Sequence, residues 1–244
     1  MVALLRPCLW VVLSFFIMQG CATTDPLRGG SSSNEQIQKE SREILASDLK
    51  FDASTGVIVY TLPEDGYVRI RLGLTNGGPM LAHLLDWDLR SQGPHKESWD
   101  GRVGGGTVDY RNRGDLIITF NAVSVPVPDV GVSKNSRIRT APKFEIIFPD
   151  LTDRQDTEYP TLSGRAAVRI AVPEETMQWL SSVNYEIALF FDDLFVIEEE
   201  EGVNPFTYYI DTRQYNNGLH RITVNVLSSS GEAGTMTKII RIQN

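Results

Sequence analysis

The sequence predicts an all-β protein built from two tandem β-sandwiches. Through most of the 244-residue chain, apolar and polar residues alternate with a period of two, as expected for strands with one buried face. Turns containing glycine or proline separate these segments, and no sustained helical periodicity interrupts them. A polar, acidic stretch at 151–160 divides the segments into two groups, so we expect one sandwich on each side of it.

The first sandwich is expected at 49–150, ending in a proline-rich connection. Val57–Leu62 and the alternating residues 68–74 flank the turn sequence at 63–66, so we expect them to pair as a hairpin. Further strands are expected at 116–120 and 144–148. Four prolines between 123 and 149 predict edge or connecting chain, because proline cannot donate to a central ladder.

The second sandwich is expected at 161–244. Alternation returns in five segments, at 166–172, 185–191, 206–210, 222–226 and 240–242. Asp192-Asp193 is expected to turn a hairpin, and Asn217-Gly218 suits a tight turn that needs positive φ. Asp211 can cap its own turn through its carboxylate.

The first twenty-one residues predict export and a lipid anchor. Arg6 precedes an apolar run at 9–18, which is too short to span a bilayer but has the length of a signal-peptide core. Residues 18–21, Met-Gln-Gly-Cys, resemble the lipobox of bacterial lipoproteins. That resemblance implies a signal peptide at 1–20 and a diacylglyceryl group on Cys21. The alternative is an ordinary secreted protein with Cys21 as a free thiol.

A tether and an envelope location follow from this resemblance. Residues 21–48 are expected to form a lipidated tether, because 23–33 is rich in glycine and serine and cannot bury enough apolar surface to fold. The resemblance implies a lipid-anchored protein of the bacterial envelope. Ala22 stands where the inner-membrane retention signal of such proteins has Asp, so we expect the outer membrane.

Both sandwiches resemble immunoglobulin-like (Ig-like) domains. Residues 66–70, 85–88 and 98–102 are similar to the Ig-like domain of flagellar hook-capping proteins. This resemblance implies that Trp99 packs in the sandwich and that Asp100-Gly101 forms a tight turn. Residues 187–196, Asp211-Thr212 and 217–224 resemble the Ig-like modules of bacterial surface proteins. The first resemblance implies a scaffold or adhesion module, and modules of the second kind also occur as accessories to secreted enzymes.

Composition and motifs argue against several functions. The net charge of −8 argues against nucleic-acid binding and against a polybasic grip on anionic lipid. The three histidines lie in no metalloprotease motif, and no nucleophile-elbow sequence is present, so zinc hydrolysis and serine acyl transfer lack their usual parts. We predict no cofactor and no enzymatic activity.

Carboxylates form the suggestive clusters of the sequence. Asp86 and Asp88 are two residues apart in an expected strand, so they are expected to share one face. Asp192-Asp193 and the glutamates at 198–201 make an acidic end on the second sandwich. Such groups can bind Ca²⁺, for which Asp86 and Asp88 are the candidates, or serve glycoside hydrolysis. They can also be solvated charge that protects strand edges, which we favour.

The sequence therefore predicts a non-catalytic envelope lipoprotein that acts as a structural, assembly or partner-binding module, with an envelope protein as its partner. The alternative is a glycan-binding accessory lipoprotein. It would display aromatic rings on one flat face, for which Trp87 and Trp179 are the candidates. An enzyme would require carboxylates that converge in a cleft between the two sandwiches.

Overall fold

The computed structural model describes residues 42–125, 139–151 and 159–244. As predicted, the fold is all-β, and the strands form two sandwiches. One short helix and one 3₁₀ turn complete the regular structure of these ranges. Within the same ranges, no helix has the length and apolar character needed to cross a bilayer.

The first sandwich packs two three-stranded antiparallel sheets face to face. Their spatial orders are β1-β2-β5 and β4-β3-β6. The bounds are β1 Ser47–Asp52, β2 Val57–Leu62, β3 Gly66–Leu74, β4 Met80–Arg90, β5 Gly93–Ser98 and β6 Leu116–Ser124. Alternate residues of β2 (Ile58, Tyr60, Leu62) meet Val68 and Ile70 of β3 in the core between the sheets.

The hairpin expected between Val57–Leu62 and 68–74 is wrong. β2 pairs with β1 and β5, whereas β3 pairs with β4 and β6. The turn at 63–66 therefore carries the chain from one sheet to the other. This arrangement lets the buried faces of β2 and β3 pack against each other, which buries both apolar rows without pairing their backbones.

The first sandwich begins earlier than the expected tether boundary at residue 48. Ile44 is buried in the first core, and its amide donates to the Ala122 carbonyl. Glu43 forms a bridge with Val123, and β1 already starts at Ser47. The boundary was placed too late because the alternating pattern weakens before residue 49. The rest of the expected tether lies outside the described residues.

The second sandwich packs a three-stranded sheet against a five-stranded sheet. Their orders are β12-β9-β7 and β11-β10-β13-β14-β8, with β8 parallel to β14 and every other pair antiparallel. The bounds are β7 Glu145–Ile147, β8 Thr161–Leu162, β9 Arg165–Ala171, α1 Glu174–Leu180, β10 Tyr185–Phe191, β11 Leu194–Glu199, β12 Phe206–Asp211, β13 Gly218–Ser228 and β14 Ala233–Ile242.

The end of the expected first domain belongs to the second sandwich. β7 pairs with β9, and Phe144 and Ile146 are buried in the second core. The predicted boundary followed the polar stretch at 151–160, but the change of core occurs before it. Packing, rather than local polarity, sets the boundary.

The five-stranded sheet is covered on both faces. Its inner residues, such as Leu189 and Val224, fill the second core. On the opposite face Phe190, Thr223 and Asn225 are also buried, and Asn225 bonds to Met80 of the first sandwich. The two sandwiches therefore share a junction and belong to one compact unit.

Candidate partner-binding surface

The predicted lipidation site, Cys21, lies outside the described residues, and so does the predicted signal peptide. Lipidation therefore stays a prediction.

Trp99, Asp100 and Gly101 form a structural corner of the first sandwich. Trp99 is buried in a small core with Leu72, and its ring nitrogen donates to the Arg102 carbonyl at 3.2 Å. The Asp100 carboxylate accepts from the Arg102 amide at 2.9 Å, as in an Asx turn. Gly101 has φ of +82°, a conformation that glycine adopts without strain.

Asp211, Asn217 and Gly218 also stabilise local structure. The Asp211 carboxylate accepts from the Arg213 amide and caps the 3₁₀ turn that follows β12. Asn217 accepts from the backbone amide of the last residue, Asn244, at 2.8 Å. Gly218 starts β13 with φ of +142°. These residues hold turns and the chain end in place.

Asp86 and Asp88 do not share one strand face, so that expectation is wrong. A β-bulge places Asp86 opposite Arg69 and Asp88 opposite Val68, and consecutive residues of β3 point to opposite faces. The bulged residue, Trp87, has φ of +64°. Among the described residues, no group of three or more potential ligands is arranged to hold a metal ion. This geometry gives the calcium hypothesis no support.

Asp193 is the centre of a charged network across the junction. Its side chain is only 7% exposed and approaches Arg113 at 2.8 Å and Arg221 at 3.3 Å. Its Oδ1 accepts from the Tyr110 hydroxyl at 2.8 Å. Burial, followed by the hydrogen bond to Asp193, raises the pKa of Tyr110. The network links the first sandwich to the turn between β10 and β11.

Asp192, the other residue of this turn, also has internal partners. Its carboxylate bonds to the His220 ring at 2.6 Å and to the Arg221 amide at 2.9 Å. Both Asp192 and Asp193 have positive φ, and the predicted hairpin between β10 and β11 is confirmed. The Asp192-Asp193 part of the predicted acidic end is thus a structural turn.

A second set of junction contacts surrounds Asn225. This side chain is 3% exposed, accepts from the Met80 amide at 2.8 Å and donates to the Met80 carbonyl at 2.9 Å. The Asn225 side chain thereby makes with Met80, the first residue of β4, the two hydrogen bonds that a neighbouring strand would make. Nearby, the His83 ring nitrogen Nε2 lies 2.6 Å from the Ala233 carbonyl, so it is the protonated nitrogen of the neutral ring.

Two arginines of β3 complete the junction. Arg69 and Arg71 both donate to the Gly231 carbonyl, at 3.3 Å and 3.0 Å. Burial, together with the nearby Arg69 charge, lowers the pKa of Arg71 to about 10. The Arg69 guanidinium lies 4.3 Å from the centre of the Trp87 ring. Trp87 is therefore half-buried and covered in part by Arg69.

The aromatic residues do not form a flat exposed face. Trp179 packs against the second core and lies beneath the Arg139 guanidinium. A depression of about 300 Å³ on the β1-β2-β5 sheet is lined in part by Tyr60 and His95, but Tyr60 is almost completely buried. The exposed aromatic residues of the described ranges, Phe195 and Tyr209, lie on different sheets.

The most exposed apolar surface of the second sandwich lies on β11. Leu194 is 73% exposed and Phe195 is 55% exposed. The Phe195 ring meets Phe190 edge to face, with 5.9 Å between the ring centres. Because β11 is an edge strand that pairs only with β10 among the described residues, one side of its backbone is open. Neither exposed residue belonged to a predicted site, although both stand beside the predicted hairpin turn.

Three glutamates lie close together beside this exposed edge. Burial, and then the charges of Glu198 and Glu200, raise the pKa of Glu186. Within the described ranges, none of these carboxylates forms an ion pair with lysine, arginine or histidine. The surface thus combines apolar side chains, open backbone groups and uncompensated negative charge. We call β11, Glu186 and Glu200 the β11 surface.

Comparisons with known proteins assign no family to this chain. No protein-family profile matches the sequence, and no curated protein matches it. Among solved structures, the chain is similar to fibronectin(III)-like modules of CbhA from Clostridium thermocellum, at 10% identity and a TM-score of 0.26. That alignment covers 82% of this chain and 92% of the other.

Two further structures show a similar distant likeness. One is a protein of Corynebacterium diphtheriae inferred to be membrane anchored, with 13% identity, a TM-score of 0.29, and coverage of 82% of this chain and 52% of the other. The other is an endo-beta-1,4-mannanase from Thermotoga petrophila, with 16% identity and a TM-score of 0.32. The alignment with the mannanase covers 46% of this chain and 21% of that enzyme.

Proposed function

We propose that this protein is a non-catalytic lipoprotein of the bacterial envelope that holds a protein partner while Cys21 anchors it to a membrane, with the outer membrane as the expected location. The observation that carries the partner-binding role is the β11 surface. Leu194 and Phe195 display apolar area on an open strand edge. Exposed apolar surface next to polar groups is typical of protein interaction sites.

The junction supports a structural rather than a catalytic role. An enzymatic site there would need carboxylates free to exchange protons or bind a substrate. Instead, Asp193 is engaged by Tyr110, Arg113 and Arg221, and one oxygen of Asp86 accepts from the Ala141 amide. These contacts fix the sandwiches to each other, so the junction provides a rigid support for the β11 surface.

The glycan-binding alternative has less support. Sugar recognition on a sandwich face would use exposed aromatic rings that lie side by side. Arg69 covers Trp87, and Arg139 lies over Trp179. Tyr209 is 52% exposed but lies on a different sheet from Phe195. The described surface therefore favours a protein partner.

Lipidation can be tested separately from partner binding. Mass spectrometry of the mature N-terminal peptide should detect a diacylglyceryl group on Cys21, and the membrane fraction should contain the protein. Cys21→Ser should remove both the lipid and the membrane association. An unmodified Cys21 thiol in the wild-type protein would contradict the lipoprotein assignment and favour simple secretion.

Partner binding is tested by reversible crosslinking in intact cells followed by purification of the acylated protein. We expect one envelope protein at a fixed ratio to this chain, and its loss in a Leu194→Lys variant. Recovery of the chain alone, together with cell-wall or surface polysaccharide, would contradict the proposal and support the glycan-binding alternative.

A further inference from the structure

We infer that the β11 surface binds an extended, lysine- or arginine-rich segment of the partner protein, which adds to the five-stranded sheet as a further strand. This inference rests on the proposed partner-binding function and specifies the chemistry of the partner.

The open edge provides the backbone hydrogen bonds. β11 is the last strand of the sheet and pairs on one side with β10. In the part of the chain that the structure describes, no strand pairs with its other side, so an added strand can pair with the amide and carbonyl groups there. β11 contains six residues, a usual length for a strand, so it can template a partner segment of similar length.

The apolar side chains determine where such a segment would make its closest contacts. Phe195 rests against Phe190, which is itself 6% exposed and packed in the sheet. The Phe195 ring is therefore supported from below and open above. Leu194 stands next to it at the turn. An aromatic ring fixed in this way loses little conformational entropy when it is covered, which favours it as an anchor residue.

The negative charge of the β11 surface favours a positively charged partner segment. Glu198 lies opposite Ala188 in the ladder, one pair away from Glu199 opposite Ile187. The charges of Glu198 and Glu200 act on Glu186, so both repel the Glu186 carboxylate. Lysine or arginine from an added strand would relieve this repulsion. An acidic segment would increase it, because like charges across neighbouring strands are unfavourable.

Edge protection alone is the competing explanation for these glutamates. Charged residues on an edge strand commonly prevent unwanted pairing between sheets. However, the exposed apolar residues, Leu194 and Phe195, occupy the other end of β11 from Glu198 and Glu199. Protection would be most useful at that apolar end, where the strand carries no charge. This distribution favours a binding surface with an apolar anchor and a charged end.

The test uses the full chain in zwitterionic detergent and fluorescent synthetic peptides of about eight residues. One peptide alternates lysine with valine and threonine, the second has glutamate in place of lysine, and the third has proline in the middle of the lysine sequence. We expect the lysine peptide to bind at least about tenfold more tightly than either of the others. Its affinity should fall as salt concentration rises.

Matched variants locate the binding site. Phe195→Ala should weaken binding of the lysine peptide about tenfold, whereas Tyr209→Ala should not, although Tyr209 is a similarly exposed aromatic residue on the edge strand β12. The double variant Glu198→Gln, Glu200→Gln should also weaken binding. Glu145→Gln, on the edge strand β7, provides the charge control and should bind normally.

Two outcomes would overturn the inference. Equal loss in the β11 variants and in their controls would mean general attraction of a basic peptide to an acidic protein. Absence of binding by the wild-type protein would mean that the glutamates only protect the edge. If crosslinking in cells still recovered a partner, the proposed function would stand and only the assignment of the β11 surface would fail.

Discussion

Tyr110 and Asp193 are joined by a 2.8 Å hydrogen bond that crosses from the first sandwich to the β10–β11 turn. The carboxylate that accepts this bond also pairs with Arg113 and Arg221. One buried acid thus connects the junction to the strand that carries Leu194 and Phe195. The stability of the junction and the geometry of the β11 surface should therefore depend on the same residue.

Asp193→Ala should lower the free energy of unfolding by about 2–3 kcal/mol. This loss of stability arises because Arg221 and Tyr110 lose a buried acceptor. It is smaller than the loss expected for a fully buried ion pair, because Arg113 is partly exposed. Tyr110→Phe should cost about 1 kcal/mol, because only one hydrogen bond is lost. Urea unfolding measures both, and a loss no larger than that of the control Glu201→Ala, at an exposed acidic residue, would contradict the role of Asp193.

Asn225→Ala should destabilise the protein by about 1–3 kcal/mol. The substitution leaves the Met80 amide without its side-chain acceptor in a buried junction, and an unpaired buried donor costs its desolvation energy. Asn216→Ala, at an exposed asparagine, is the control and should have little effect. Equal urea midpoints for the two variants would show that the Asn225 bonds do not hold the sandwiches together.

Gly104→Ala should destabilise the protein more than Gly105→Ala. Both glycines have positive φ, so both variants carry backbone strain of about 1 kcal/mol. A Cβ at Gly104 would lie 2.6 Å from the Thr237 carbonyl oxygen of β14, whereas a Cβ at Gly105 meets open space. The difference between their melting temperatures therefore reports the cost of the close contact between Gly104 and β14. Identical temperatures would place the Gly104 loop away from β14 in solution.

Acidification should weaken the junction through His83. Burial lowers the pKa of His83 below its ordinary value of 6.5; the Arg71 and Arg69 charges act in the same direction, and Asp86 and the Ala233 carbonyl oppose them. The folded state therefore binds this proton less tightly than the unfolded state. The resulting stability is present above pH 6.5 and is lost as the pH falls through the folded-state pKa.

The measurement is urea unfolding of the wild type and of His83→Gln between pH 7 and pH 5, a range centred near the ordinary histidine pKa. The wild type should lose more stability over this range than the variant, because glutamine does not titrate. Parallel profiles would show that His83 is not buried in the junction.

Glu186→Gln should raise stability at neutral pH, by no more than about 0.5 kcal/mol after screening by solvent. Burial and the Glu198 and Glu200 charges raise the pKa of Glu186. The stability linked to this group is present below its unfolded pKa and is lost as the pH rises through the folded pKa. Glu145→Gln should change nothing. Loss of stability in Glu186→Gln would mean that this carboxylate has a favourable partner.

The sequence predicted the all-β class and the hairpin at Asp192-Asp193, because both depend on local signals. Alternation of apolar residues reports a half-buried strand, and the aspartates tolerate positive φ at the turn. The pairing of β2 and β3 with different partners could not be predicted locally. A short turn between two alternating segments suits a hairpin and a crossing between sheets equally well.

The sequence contains a local signal that both faces of the five-stranded sheet are buried, but the alternating pattern of the other strands obscures it. Residues 187–191 form a continuous apolar run, which is typical of a strand covered on both sides. Asn225, by contrast, looks like an ordinary exposed polar residue, since only the position of Met80 in the fold gives it a partner. The junction therefore could not be derived from spacing alone.

The missed helix α1 also has a local signal. Pro173 precedes Glu174 and Glu175, and acidic residues in the first turn interact favourably with the helix dipole. Thr176 and Leu180, four residues apart, are its buried residues. The segment is only seven residues long, so its periodicity is too brief to stand out beside the strands.

The most direct test of the proposed partner-binding function is photocrosslinking in intact cells, with a benzophenone amino acid placed at position 195 or at position 209 of the full chain. We predict one major crosslinked protein from position 195 and none from position 209. Crosslinking to proteins at neither position, with the chain retained on polysaccharide, would contradict the account. Equal crosslinking at both positions would contradict the assignment of β11 as the binding edge.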